Sequence, residues 1–209
     1  MNIGILGSGA VGKSLAEGFL KLGNEVKIGT RDESKLKEFV EGKNISVGSF
    51  SDTASFGEIL VLAVKGDVVE NVVSIAGKDN FSGKIVIDVT NPLKFEKEGE
   101  PPKLFTAFPS SLGKRIQELL PDSKVVKAFN TVTSVYMCNP KLEEGIPDMF
   151  IAGNGGKDKI KDFAEKWGWN VIDVGGIEHA HLLESLAMIW IRYGFMNNYW
   201  THAFKLLKK

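Results

Sequence analysis

The stretch GSGAVGKS, residues 7–14, lies within MNIGILGSGAVGKSLAEGFLK, residues 1–21, and decides how the rest of the chain is read. It satisfies two phosphate-binding patterns. Gly7, Gly9 and Gly12 make G-x-G-x-x-G, the dinucleotide fingerprint, while Gly7, Gly12, Lys13 and Ser14 make G-x-x-x-x-G-K-S, the nucleoside-triphosphate loop. Both use glycines to bring backbone N–H groups to phosphate at the positive end of a helix. They differ in what must follow. A triphosphate loop needs Lys13 on the terminal phosphates, Ser14 on Mg²⁺ and an acidic metal partner at the end of another strand. Asp88, closing the run IVID, is the candidate partner. A dinucleotide site needs a strand–helix–strand unit of about 30 residues, with its ribose reader about 20 residues past the glycines.

The flanking sequence meets the second requirement. A strand over 2–6, a helix over 11–22 and a strand over 25–28 lead into Gly29-Thr30-Arg31-Asp32. Val11, Leu15, Phe19 and Leu22 recur at helical spacing, and Gly23 follows as a stop. In this reading Gly7 makes the turn, Gly9 admits the pyrophosphate and Gly12 lets helix and strand pack closely. Lys13 and Ser14 become ordinary first-turn residues. No N-K-x-D guanine motif supports the alternative. At the end of the second strand, where an NAD site carries an acid, stand Thr30 and Arg31, with Lys35 one turn on. A guanidinium pairs bidentately with phosphate, so the expected cofactor is NADP. The alternative makes Arg31 a solvated residue and Asp32 the ribose reader.

Further strands are expected at 45–47, 58–63, 84–89, 124–128, 149–152 and 170–174, and helices at 33–41, 51–56, 66–76, 110–120 and 157–167. From Ile177 to about Leu207 runs an aromatic-rich helical segment with a possible break at Gly194. The alternation implies an α/β Rossmann-type, doubly wound, mostly parallel sheet, with a small C-terminal α/β extension ending in a long helix. Residues 1–128 are read as the dinucleotide-binding domain and 129–209 as an extension forming the acceptor pocket and a dimer interface. KFEKEGEPPK, residues 94–103, reads as an exposed loop near the site mouth.

Lysine plus arginine and aspartate plus glutamate both number 26, a balance that argues against nucleic-acid or membrane-surface partners. The single cysteine, Cys138, excludes an intramolecular disulfide. With no signal sequence or long apolar run recognised, a cytoplasmic location is expected. His179 and His181, two apart, do not share a helical face, so no metal site is expected. No catalytic acid–base or nucleophilic constellation stands out either.

The chain resembles the coenzyme F420-dependent NADP oxidoreductases, and also the reductase domain of the six-transmembrane metalloreductases (STEAP). The resemblance rests on ILGSGAVGKSLAEGFLKLGNEVKIGTR, ILVLAVK, VIDVTNP, VVKAFNTV and the tail GGIEHAHLLESLAMIWIR. It implies direct hydride transfer between NADPH and a flavin or deazaflavin-like acceptor, a reaction resting on positioning and water exclusion. It places the pyrophosphate on Gly7, Ser8, Gly9, Ala10, Val11 and Gly12, and the 2′-phosphate on Thr30 and Arg31. Ala63, Val64 and Lys65 then end the fourth strand beside the dinucleotide, Thr90, Asn91 and Pro92 follow the fifth, and Phe129, Asn130 and Thr131 end the next strand near the nicotinamide and the acceptor ring. Asn130 stands where the deazaflavin enzymes are expected to carry a histidine, which leaves a riboflavin-type flavin or an unrelated small acceptor open; the alternative functions are an NADPH-dependent reductase of a small carbonyl or imine and a non-catalytic NADP(H)-binding sensor.

Overall fold

The computed structural model describes residues 1–207; the last two residues of the expected extension, 208 and 209, lie outside the described residues. The chain opens with β1 (Asn2–Leu6), α1 (Ala10–Lys21) and β2 (Glu25–Gly29), the unit read from the glycine pattern. Next come α2 (Lys37–Val40), β3 (Ile45–Gly48), α3 (Phe50–Phe56), β4 (Ile59–Leu62), α4 (Val69–Ala76) and β5 (Ile85–Asp88). Three segments read as continuous helix begin as 3-10 turns instead, Glu33–Leu36 before α2, Gly66–Val68 before α4 and Ile177–His179 before the tail helix. A short antiparallel hairpin, β6 (Leu93–Lys94) and β7 (Lys103–Leu104), brackets the charged segment that had read as plain loop. The second half runs α5 (Leu112–Leu119), β8 (Lys124–Lys127), β9 (Asp148–Gly153), α6 (Lys157–Trp167), β10 (Asn170–Asp173) and α7 (Ala180–Asn197).

One eight-stranded sheet runs in the order β10-β9-β8-β5-β4-β1-β2-β3. Strands from β8 through β3 are mutually parallel, whereas β9 pairs antiparallel to β8, with Lys127 opposite Ala152. The reversal has a local cause. A parallel return needs a long crossover, usually a helix, and residues 128–147 carry only the 3-10 turn Ser134–Tyr136. As a result the start of β9 lies beside the carboxyl end of β8, where the Phe129 N–H reaches the Met149 sulfur at 3.2 Å.

Successive residues of a strand face opposite sides, and the core divides accordingly. Ile59 and Val61 of β4 pack with Leu15, Phe19 and Trp167 on one face, while Leu60 and Leu62 pack with Val73, Phe81 and Ile116 on the other. Phe19 meets Phe163 and Trp167 edge-on at 5.0 and 4.9 Å, joining α1 to α6. Complete burial of side chains this large contributes about 2–3 kcal/mol each. α3 starts with a capping box, Ser49 accepting from the Asp52 N–H while the Asp52 carboxylate accepts from the Ser49 N–H.

The tail departs from its expected course. α7 passes through Gly194 unbroken and stops at Asn197, with Asn198 left-handed at φ 46°. The chain then folds back. The Trp190 indole donates to the His202 carbonyl at 2.9 Å, the His202 Nε2 meets the Trp190 carbonyl at 3.0 Å, and the Asp148 N–H donates to the Phe204 carbonyl at 2.9 Å. Gly194 permits this return, since a Cβ there would sit 2.5 Å from the Trp200 ring. No helix among the described residues is long and apolar enough to cross a membrane.

Candidate functional site

The glycine loop joins β1 to α1 at the carboxyl edge of the sheet. Gly7 takes φ 133°, a conformation closed to most side chains, and a Cβ on it would lie 2.2 Å from the Ala63 carbonyl oxygen. A Cβ on Gly12 would lie 2.0 Å from the Gly7 carbonyl oxygen. Gly9, by contrast, has open space before it, with nothing within 4 Å of an added Cβ. No side chain caps α1 and no acid occupies its first turn. Its leading N–H groups therefore point unpaired toward that space, a setting that fits a pyrophosphate.

The triphosphate alternative fails on the same geometry. The Lys13 ammonium lies over the Phe39 ring at 5.1 Å, and the Ser14 hydroxyl donates to the Ser134 carbonyl. Asp88 is fully buried against Lys127 and cannot present its carboxylate to a solvated metal.

At the end of β2, the Thr30 and Ser8 hydroxyls are 3.1 Å apart, which ties the end of β2 to the glycine loop. Arg31 is exposed and has no ion-pair partner among the described residues. Asp32, the alternative ribose reader, is engaged: its carboxylate caps the following 3-10 turn through the Ser34 N–H and hydroxyl, at 3.1 and 2.6 Å. Those hydrogen bonds from Ser34, aided by Lys35, hold its pKa below the ordinary aspartate value. Lys35 lies 3.7 Å from Asp32 on the surface.

A cleft of about 600 Å³ opens between the carboxyl ends of β4 and β5 and the hairpin, lined by Val64, Lys65, Thr90, Asn91, Phe95 and Phe105 among others. Asn91 and Asn130 are bonded to each other. The Asn91 side chain donates to the Asn130 carbonyl at 2.8 Å, and the Asn130 side chain donates to Asn91 Oδ1 at 2.9 Å and to the Leu183 carbonyl at 3.0 Å. Asn130 thus fastens the β8 end to the β5 end and to α7. A hollow of similar size near Lys78 and Ser123 lies at the opposite end of the strands.

Beneath the Thr90–Asn91 turn lies a group of charges of which residue patterns had singled out Asp88 but not Lys127. The Lys127 ammonium, fully buried, is 2.9 Å from Asp88, 3.1 Å from Glu184 and 2.6 Å from the Thr90 carbonyl. Glu184 also accepts the Leu112 and Gly113 N–H groups at the start of α5, at 3.1 and 3.0 Å, and Asp88 accepts the N–H and hydroxyl of Thr90. Burial pulls the Lys127 pKa down, but the two carboxylates outweigh it and hold it above the ordinary lysine value. The available signal was a lysine closing the apolar run KVVK, a place where charge is rare unless paired.

A family model, the coenzyme F420-dependent NADP oxidoreductases, matches residues 2–92. A crystal structure of a candidate F420-dependent NADP reductase from Arthrobacter sp. FB24 superposes with TM-score 0.94, at 33% identity over 100% of both chains. The chain belongs to the coenzyme F420-dependent NADP oxidoreductase family. It is 28% identical to the F420-dependent NADP reductase of Methanocaldococcus jannaschii over 91% of each chain. It is 26% identical to rat metalloreductase STEAP3 over 89% of its own length, but it spans only 36% of that protein. The F420-dependent NADP oxidoreductases are NADP-dependent, in keeping with Thr30 and an unpaired Arg31 at the end of β2.

Proposed function

We propose that the protein is an NADPH-dependent oxidoreductase that passes hydride directly to a flavin or deazaflavin-like acceptor. The observation carrying this reading is the continuity of one edge of the sheet. The open glycine loop, the free Arg31 guanidinium and the cleft above Asn91 follow one another along the strand ends, as a dinucleotide and a second ring require. NADPH supplies the hydride, its C4–H bond breaking and the electron pair leaving with hydrogen for the acceptor ring, while water supplies any further proton.

The chain's part is to hold and to shield. The α1 N–H groups and Gly9 receive the pyrophosphate, and Ser8, Ala10 and Val11 shape the loop around it. Thr30, Arg31 and, through its ammonium, Lys35 receive the 2′-phosphate. Ala63, Val64 and Lys65 flank the dinucleotide, and Asn91, Pro92 and Asn130 form the floor under the nicotinamide. Rings kept face to face in a water-poor cleft need no acid–base relay.

The working unit in this proposal is a homodimer. Leu182, Ile189, Tyr193 and Met196 recur at helical spacing along the outer face of α7 and are all exposed. Wild type should sediment as a dimer and Ile189→Lys as a monomer; a wild-type monomer at micromolar concentration refutes this part.

Stopped-flow mixing of NADPH-loaded protein with FMN, FAD and 8-hydroxy-5-deazaflavin tests the central claim. Rapid NADPH oxidation by at least one ring is expected, and binding without oxidation by any of them refutes it. Arg31→Ala should weaken NADPH binding by roughly 10–100-fold while leaving NADH binding nearly unchanged, since one charge-assisted contact is lost. Equal wild-type affinities for NADPH and NADH would remove the role given to Arg31.

A further inference from the structure

The β6–β7 hairpin is the least explained part of the molecule. It leaves the sheet at Asn91–Pro92, on the floor of the cleft, and returns where the Phe105 N–H donates to the Pro92 carbonyl at 2.8 Å. A two-stranded hairpin has little stability by itself, so its position depends on that root. Between its strands the charges cancel locally. Lys103 and Glu96 pair closely, Lys97 lies 3.2 Å from Glu100, and Lys94 lies 3.9 Å from Glu96. Glu96 is held below its ordinary pKa by the hydrogen bond and charge of Lys103, so this pair persists at neutral pH. The three lysines and three glutamates of the hairpin sum to zero charge, with Lys94 the one among them that lines the cleft.

What it does present is aromatic surface. Phe95 is 64% exposed and Phe105 37% exposed, yet both line the cleft wall opposite Val64 and Asn91. Large apolar side chains left in water beside a concave, partly polar site mark a surface completed by a ligand. Two phenyl rings on a charge-neutral wall favour flat conjugated faces over small carbonyl compounds, because the gain comes from stacked area and not from one polar contact.

We propose that the hairpin is the acceptor-recognition element. Phe95 and Phe105 form the outer wall of a slot, opposite the nicotinamide, that selects planar conjugated ring acceptors by stacking. This rests on the hydride-transfer reading above and assigns that reading's acceptor specificity to two named residues. Since both side chains are exposed, their removal leaves the core intact.

The test separates ring binding from turnover. Phe95→Ala, Phe105→Ala and Phe95→Tyr are compared with wild type in three measurements: NADPH affinity, affinity of the NADP⁺-loaded protein for oxidised FMN and 8-hydroxy-5-deazaflavin by fluorescence, and NADPH oxidation by the same rings. NADPH affinity should stay within about twofold of wild type. Affinity for the preferred ring should fall about tenfold in each alanine variant, with a matching rise in acceptor KM, and Phe95→Tyr should keep wild-type values. Unchanged ring affinity in both alanine variants overturns the proposal, as does a wild type that binds neither ring. A wild type that binds a ring through these phenylalanines but transfers no hydride would refute the function proposed above and leave the slot standing.

Discussion

Cys138 shows how one residue's surroundings set its chemistry. Its sulfur lies 3.5 Å from the Ser14 carbonyl and fills the gap left by Gly18 in α1, where an added Cβ would sit 2.2 Å from it. Burial pushes the thiol pKa up to about 12. The reactive thiolate is then scarce at neutral pH. A thiol reagent at pH 8 should label the native protein at least about 100-fold more slowly than the urea-unfolded chain. Labelling at equal rates would mean that the α1 packing opens readily. Asn130 makes the same point about polarity. Its amide nitrogen donates to Asn91 and Leu183 and fastens the strand ends to α7, while its buried Oδ1 has no partner among the described residues.

At the scale of elements, the first βαβ unit was legible because its signals are local: alternating runs, a helical stripe and glycines at fixed offsets. The glycine turn of the candidate site was legible for the same reason, Gly7 and Gly12 sitting where no side chain fits. The antiparallel entry of β9 was not, because it depends on a helix that residues 128–147 fail to form, and strand runs carry no mark of direction. The end of α7 was equally hidden. Trp190, Tyr193, Tyr199 and Trp200 continue an apolar helical pattern, and only the tertiary pairing of Trp190 with His202 turns the chain back. Gly194→Ala should therefore act on the tail rather than on the helix. Alanine favours helix by about 1 kcal/mol over glycine, but here its methyl group meets the Trp200 ring. Loss of amide-exchange protection at Asp148 and Leu206, with α7 retained by circular dichroism, is the expected result; unaltered protection would show that Trp200 gives way instead.

Across the whole molecule, Asp88, Lys127 and Glu184 join β5, β8 and α7, with α5 held through Glu184. Lys127→Met leaves two buried carboxylates without their cation and should cost about 3–5 kcal/mol at pH 7 by urea denaturation. Part of this returns as pH falls and the stranded carboxylates take up protons. In wild type the sign is the same, but the window lies at much higher pH. A lysine whose folded pKa is raised contributes its full stabilisation below the ordinary value of 10.5, and that contribution is lost only as pH climbs through the higher folded value. A Lys127→Met variant with wild-type urea midpoint at pH 7 would contradict this account. The same three-way balance also constrains how such a sequence can drift. Removal of Lys127 alone strands two carboxylates, and removal of either carboxylate leaves its buried N–H donors unpaired, whereas a simultaneous exchange of all three for apolar residues of matching volume is expected to cost little. Positions 88, 127 and 184, though far apart along the chain, are thus bound to a common fate, inherited together or replaced together.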